Sequence, residues 1–483
     1  MGEPAPPAES DAAAGSPAAA APTSGAPPEA PAWGQWLLAA AVLATYANAL
    51  AGSFQFDDWN VIVDEPRVAT VSAWWASMPG IRPVLKLSYA ANRASGLGLA
   101  GFHAVNLAVH VASALLAWAL LRRIAARLGA PPAAALLGAL SFALHPVQTE
   151  AVTYVSGRSS SLAGALALGS ALAWLEGRER RATWLWAGLS PLLMALSLGV
   201  KETALVLPVA LLLLGAVAGP RAFSRRRALP AISPHLLVLV AAAGAFLASP
   251  AYRRMVSRSL ELRDPWANLL THVDALGWLA GQIVRLDRLN ADPALPAVTS
   301  LSPSVALAGL GLLSALAAGL ALLRRRPAVA FGVLWFLLWL PATGWWLPRP
   351  EPASERQLYL ALLGPAWLAG LALAPWLAAG TIRRTGVVAL VAALGTATVL
   401  RNRAYRSEVA FWEDVVSRSP HNARAHNNLG VALAGRCLTL EAEAAFRRAL
   451  EADPGHFRAA VNLELLSEGR ALGPRAPPCP GMR

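Results

Sequence analysis

Residues 101–123 read GFHAVNLAVHVASALLAWALLRR, a block of about twenty residues without an acid or a lysine, closed by Arg122 and Arg123. An α-helix of that length crosses the hydrocarbon core of a bilayer. The same arrangement, an apolar block ended by a short arginine run, recurs along the chain. Reading outward from it gives eleven candidate spans: 34–52, 102–121, 133–152, 160–176, 183–199, 203–219, 232–249, 303–323, 328–347, 358–379 and 386–400. Composition agrees, since 56% of the 483 residues are hydrophobic and only 14% charged, against roughly 25% charged in an ordinary soluble domain. One soluble globule is excluded. The expected fold is all-α: a polytopic membrane protein with about eleven transmembrane helices over 34–400, followed by a small helical domain over 401–470.

The formal charge of +13, from 41 Lys+Arg and 28 Asp+Glu, reads as a topology signal and not as a nucleic-acid footprint. The arginines sit in short runs between apolar blocks and lack interleaved stacking aromatics. With the amino terminus cytoplasmic, five inner loops hold fifteen arginines: Arg122, Arg123, Arg127; Arg178, Arg180, Arg181; Arg221, Arg225, Arg226, Arg227; Arg324, Arg325, Arg326; and Arg383, Arg384. Arg158, Lys201, Arg349 and Arg356 fall in three short outer loops, the asymmetry of the positive-inside rule. Residues 53–101 make the first outer loop. The stretch 267–286 contains His272, Asp274, Gln282 and Arg285; as a span it would throw Arg324–Arg326 outside. Segment 250–302 is therefore expected as an outer amphipathic or re-entrant piece, which leaves the carboxyl terminus outside.

Residues 1–33 are rich in Ala, Pro and Ser, carry Glu3, Glu9, Asp11 and Glu29, and have no Lys or Arg. They and residues 471–483 are expected as disordered tails, and an apolar block that begins only at Trp36 reads as a retained span, not a cleaved signal. Cys437 and Cys479 are the only cysteines and form no CxxC or zinc-ligand spacing. His103 and His110, seven apart on one helix, lack a carboxylate cluster and read as core or interface histidines; no metal ligand set is expected, and dependence on a divalent metal stays open. Further on, Pro420 and Pro454 lie 34 residues apart with Leu429, Gly430, Ala442, Phe446 and Ala449 between them, the spacing of a tetratricopeptide helix pair. Small Gly430 and Ala442 would let two helices close on Phe446, while Trp412 and Leu463 mark incomplete flanking repeats. A docking or capping role is expected, because a peptide-binding solenoid needs about three stacked units.

Several polar groups share the predicted outer surface. Asp57 and Asp58, in Phe54-Gln55-Phe56-Asp57-Asp58-Trp59, adjoin each other and apolar aromatics, which suits a general base; in a solvated loop the same pair does nothing special. His145, Glu150, Tyr154 and Arg158 follow a helix broken by Pro146 and either line a cavity or cap a helix hairpin. Lys201-Glu202 is a site pair or a solvated turn. Arg356 is a phosphate ligand by charge-assisted bonds or an interfacial anchor, with Tyr359 as belt aromatic. Taken together, carboxylates facing cations at the outer lipid boundary fit a polyprenyl-phosphate ligand whose tail stays in the bilayer. No GxxxxGK[ST], GxSxG or HExxH motif occurs, so a soluble-nucleotide enzyme is not supported.

Phe56-Asp57-Asp58, Arg82-Pro83, Gly101-Phe102-His103 leading to Asn106, His145-Pro146 to Glu150, Ser156-Gly157-Arg158, Lys201-Glu202 and Glu355-Arg356 with Tyr359-Leu360 run in that order. In this order the chain, over about residues 34–465, resembles the transmembrane and tetratricopeptide-repeat O-mannosyltransferases and their bacterial relatives. The resemblance implies a GT-C fold and an inverting transfer of a sugar, mannose or another hexose, from a dolichyl or undecaprenyl phosphate donor to an extracytoplasmic acceptor such as Ser/Thr of a protein. It implies a catalytic base at Asp57 with Asp58 as second acid, donor-phosphate contacts at Arg356, Lys201 and Arg158, and orienting roles for His145, Glu150, Glu202, Tyr359 and Arg82. The chain departs from those relatives in carrying Ser159-Ser160-Ser161 where an acid often follows, and in its very short repeat array. Two other functions share its features: a transporter or flippase for lipid-linked sugars, and a membrane-anchored scaffold. The Ala/Arg/Pro-rich, cysteine-poor composition leans to a bacterial inner membrane.

Overall fold

The computed structural model describes residues 2, 33–78, 80–218, 225–342, 347–473 and 476, and among these it is helical throughout, with no strand. The predicted tails 1–33 and 471–483 lie largely outside the described residues, as does Arg221. Helix α1 (Trp33–Tyr46) leads through a loop with one longer helix, α2 (Pro83–Ala94), to α3 (Gly98–Leu128) and α4 (Pro132–Leu144). Then come α5 (Arg158–Glu179), α6 (Trp184–Val200), α7 (Leu207–Ala218) and α8 (Arg225–Ala248). Helices α9 (Pro250–Leu260) and α10 (Pro265–Gln282) form the segment expected to be amphipathic or re-entrant, and α10 packs on α11 (Pro303–Leu322). The bundle closes with α12 (Pro327–Trp339), α13 (Leu363–Ala378) and α14 (Thr381–Asn402).

A helix occupies each of the eleven predicted spans, but among the described residues five are long and apolar enough to cross a bilayer, or six if the bent pair Glu355–Ala361 and Leu363–Ala378 counts as one. Of four shorter apolar helices, α4 is largely buried in the interior, whereas α6 leaves Trp184 and Leu192 exposed. Helix α4 stops at Leu144 because Pro146 follows, so residues 145–157 fold as short turns and not as the end of a span. The outermost helices turn apolar side chains outward: Leu307, Leu310 and Leu313 on α11, Leu237 and Val240 on α8. Such continuous apolar faces suit lipid contact.

At one end of the bundle, Arg123 and Arg127 at the close of α3 pair with Glu176 and Glu179 at the close of α5, and Arg180 pairs with Glu176. The turns 52–58 and 145–157 lie at the other end of these helices. Four further helices, α15 (Glu408–Arg418), α16 (Ala423–Ala434), α17 (Thr439–Ala452) and α18 (Phe457–Ser467), pack in succession beyond α14. Gly430 faces the Phe446 ring so closely that a Cβ there would sit 2.4 Å from Cε1.

Candidate active site

The first loop is pinned between the bundle and the carboxyl-terminal helices. Phe56 takes a left-handed backbone (φ 38°), unusual for an aromatic residue, and packs edge-on against Trp412 of α15, with ring centroids 5.4 Å apart. The Gln55 side chain donates to the Tyr405 carbonyl at 3.0 Å, and the Trp59 indole donates to Glu408 at 2.8 Å. The adjacent acids then part company. Asp58 is fully buried; one carboxylate oxygen accepts the Gln55 amide at 2.9 Å and the other the Ser156 amide at 2.7 Å. Burial pushes its pKa up to about 7, although the two amides pull it down.

Asp57 faces the opposite way and is more open. Its backbone N–H donates to the Tyr154 hydroxyl at 2.8 Å, while its carboxylate lies 3.7 Å from Arg356 Nη2. Burial raises its pKa; Arg356 opposes that shift and Glu351 adds to it. Arg356 Nε lies 3.6 Å from Glu150, and its guanidinium sits over the Tyr154 ring at 5.6 Å. Glu150 is buried and held in place by Ser354 Oγ (2.7 Å) and the Arg356 amide (2.9 Å). Gly157 makes this turn possible, for any Cβ at 157 would meet the Glu150 carbonyl at 2.1 Å. Phe56, Glu150, Tyr154, Ser354 and Arg356, with Asp292 and Glu351, line a small recess of about 20 Å³, and Asp57 reaches Arg356 from beside that lining. Arg424 of α16 grips Asp292 with two bonds of 3.1 and 2.6 Å, pairs with Glu351, and covers the Phe56 ring at 5.4 Å.

A second group of cations lies within electrostatic reach of Arg356. Arg82, also left-handed (φ 53°), makes a two-bond pair with Glu202 at 3.1 and 2.8 Å. Strained non-glycine backbone tends to gather at functional sites. Lys201 is buried and donates to Ser160 Oγ at 2.7 Å. Burial pushes its pKa far down, and the charges of Arg349, Arg356 and Arg82 push the same way. Burial, with Arg82 and Arg356, brings Arg349 down to about 10. Among the described residues neither Lys201 nor Arg349 has an ion-paired acid. Such a pair of desolvated cations favours an anionic group beside it.

The structure therefore brings Asp57, Glu150 and Arg356 together, with Arg82, Lys201 and Glu202 in a neighbouring cluster. It sets the other predicted residues apart. Arg158 is wholly buried among neutral acceptors: Asn106 Oδ1 (2.6 Å), Asn92 Oδ1 (2.8 Å), the Phe102 carbonyl (2.9 Å) and the Ser88 carbonyl (3.2 Å). His145 caps the Pro146 turn and bonds the Ile283 carbonyl at 2.9 Å. Tyr359 lies inside the bundle, bonded to His110 at 2.9 Å, and His110 is packed against Tyr46 and Phe142. Sequence reasoning did not single out Arg349, Asp292, Glu351 or Arg424 as site residues; of these only Arg349 carried a signal, as an outer-loop cation. Among the described residues no three His, Cys, Asp or Glu side chains gather as a metal site.

No family model and no solved structure matches the chain. It is 24% identical over 449 residues to protein O-mannosyl-transferase F38B6.6 of Caenorhabditis elegans, covering 85% of this chain and 61% of that protein. It is 32% identical over 182 residues to protein O-mannosyl-transferase Tmtc2 of Drosophila melanogaster, covering 33% of this chain and 19% of the relative. To human protein O-mannosyl-transferase TMTC4 it is 28% identical over 204 residues, covering 36% and 28%. The chain thus spans less than two thirds of the length of each of these relatives. What the recess built around Asp57 and Arg356 belongs to, then, is an all-helical chain similar over most of its length to a protein named as an O-mannosyl-transferase.

Proposed function

We propose that this chain is a GT-C-type membrane glycosyltransferase that moves a hexose, mannose first among the candidates, from a polyprenyl phosphate to a hydroxyl of an extracytoplasmic protein. One observation carries the reading: Asp57 and Arg356, about 300 residues apart in sequence, meet across 3.7 Å at the end of an apolar bundle. Helix α3, one of the helices long and apolar enough to cross a bilayer, runs from this end to the arginine–glutamate network; its 31 residues rise about 46 Å, more than the roughly 30 Å of a bilayer core. Inner-loop arginines and the recess then occupy opposite membrane faces, the recess and α15–α18 being extracytoplasmic. The names of the three relatives support the transfer of a mannosyl group to protein. In the mechanism, Asp57 takes the proton from the acceptor hydroxyl as its oxygen bonds to the anomeric carbon. The anomeric carbon–phosphate oxygen bond breaks on the opposite face, so configuration inverts. The electron pair leaves on polyprenyl phosphate, held by Arg356 with Lys201, Arg349 and Arg82. Cations held in place before the reaction, one of them buried (Lys201), stabilise the charge that develops on the leaving phosphate.

In this reading Glu150 orients Arg356, Glu202 orients Arg82, and Asp58 holds the loop that carries Asp57. Arg158, His145 and Tyr359 support the turns and helices behind them. α16–α17 is read as a tetratricopeptide pair, with a bacterial inner membrane as the setting. The test is purified protein with labelled polyprenyl-phosphate mannose and a Ser/Thr peptide. Wild type is expected to label the peptide, and Asp57→Asn to lose about 10²–10⁴-fold in turnover, the range for a general base. Wild-type turnover by a folded Asp57→Asn protein would remove the proposed mechanism.

A further inference from the structure

A groove of about 520 Å³, lined by both polar and apolar side chains, runs between the first loop and the carboxyl-terminal helices, beside the recess already described. That volume lies within the roughly 300–1,000 Å³ of sites that enclose a bound molecule. Phe56 and Trp412 contribute an aromatic edge. Asn427, Asn428 and Asn462 contribute a run of carboxamides: Asn462 donates to Asn427 at 2.9 Å, and Asn427 donates to Asn428 at 3.2 Å. Each carboxamide carries two donors and an oxygen with two lone pairs, so this chain of single bonds leaves capacity on every member. A carboxamide offers what an extended peptide backbone needs, a donor and an acceptor on one flat group, without choosing among side chains.

The groove and the recess share a wall. Phe56 lines both, and Arg424, which lines the groove, covers the Phe56 ring and holds Asp292 and Glu351 of the recess. Asp57 follows Phe56 directly, at a left-handed turn. We infer that this groove is the acceptor subsite: it holds the acceptor as an extended polypeptide, bonded through its backbone to the asparagines, and leads a Ser or Thr hydroxyl past Phe56 to Asp57. A short array is then sufficient, because α15, α16 and α18 supply one side of the groove and the first loop the other. The inference rests on the transferase reading and adds to it where the acceptor lies and in what form.

The experiment uses the full chain in lipid nanodiscs with labelled polyprenyl-phosphate mannose and two unstructured Ser/Thr peptides, one neutral and one flanked by glutamates. The Asn427→Ala/Asn462→Ala double variant is expected to raise the KM for either peptide at least tenfold, with kcat at saturating peptide within about threefold of wild type. Arg458, exposed and also lining the groove, gives a variant that leaves packing alone. Arg458→Glu is expected to raise KM for the glutamate-flanked peptide at least fivefold more than for the neutral one. Wild-type KM in both variants, with Asp57→Asn inactive, overturns the acceptor subsite and leaves the transferase reading standing. An Asp57→Asn protein of full turnover overturns the transferase reading first.

Discussion

Two arginines of this molecule, Arg158 at the start of α5 and Arg356 on the turn Glu355–Gln357, lie at the same end of the bundle, and their surroundings differ in kind. Around Arg158 the acceptors are neutral: two asparagine oxygens, two carbonyls and the Ser88 hydroxyl, with the rings of Tyr89 and Phe102 beneath the guanidinium at 4.9 and 5.4 Å. Around Arg356 the partners are carboxylates, at 3.6 and 3.7 Å, and its side chain keeps 24% of its surface accessible. Ion pairs beyond 3.5 Å leave the guanidinium's directed donors available for shorter bonds. An arginine enclosed by short bonds to neutral oxygens fastens helices together; one loosely flanked by acids, with part of its surface accessible, can take an anion. On the proposed reading, the difference separates scaffold from chemistry among residues of identical type.

The comparison is broken most directly at the chemistry. Asp57→Asn, with its expected loss of up to about four orders of magnitude, has the largest effect and no counterpart near Arg158. Next is Arg356→Gln, expected to cut kcat by about 10²–10³-fold, the scale of a lost electrostatic contact to a leaving group, with little change in thermal stability. Should Arg356→Gln turn over normally while folded, the two arginines would not differ as argued. Arg158→Met should do the reverse. It strands the Asn92, Asn106 and Phe102 oxygens, each at a cost of about 1–3 kcal/mol when buried and unpaired. Thermal unfolding in detergent should show a large drop, and the fraction that remains folded should keep a near-normal KM for donor.

The two aspartates sharpen the comparison through pH. Asp58 is held up to about 7 by burial, against about 3.9 for an exposed side chain. A carboxyl group raised on folding favours the protonated native state, so its contribution is fully present below about pH 4 and is lost as pH rises to about 7. Unfolding followed between pH 4 and 8 should therefore show a fall in stability that Asp58→Asn flattens. Activity should move the other way, because Asp57 must be ionised to act, and its raised pKa shifts the acid limb of the rate profile above that of an ordinary aspartate. A rate profile unmoved by pH in the acid range would argue against Asp57 as the base.

The helices were legible because long apolar blocks ended by arginines leave few alternatives, and the pairing of Asp57 with Arg356 was legible because both follow or precede such blocks on one predicted face. The role of Arg158 was not. Its acceptors come from Ser88 and Asn92 on α2, Asn106 on α3 and a backbone carbonyl, and nothing in the spacing of those residues marks convergence on one point. Only the family resemblance, and not the pattern of residues, separated Asp57 from Asp58: which of two adjacent acids is locked depends on where the Gln55 and Ser156 amides point. Helix α4 was predicted too long for a local reason, since 145–157 reads as mildly apolar although Pro146 ends the helix.

The smallest expected effect lies in α16–α17. Gly430 sits mid-helix, where glycine costs about 1 kcal/mol relative to alanine, so Gly430→Ala gains that amount from the backbone. Against it stands Phe446, fully buried, whose ring atoms would lie 2.4 to 2.8 Å from the new methyl. Relieving that overlap moves a ring already packed on both sides, at about 1–3 kcal/mol. The two effects partly cancel, and a net loss of about 0–2 kcal/mol is expected for the single variant. Gly430→Ala combined with Phe446→Leu should then be less destabilised than the sum of the two single changes, because the smaller side chain removes the overlap while leaving the helical gain. Strict additivity in that cycle would mean that Gly430 is there for some reason other than the approach of α16 to α17.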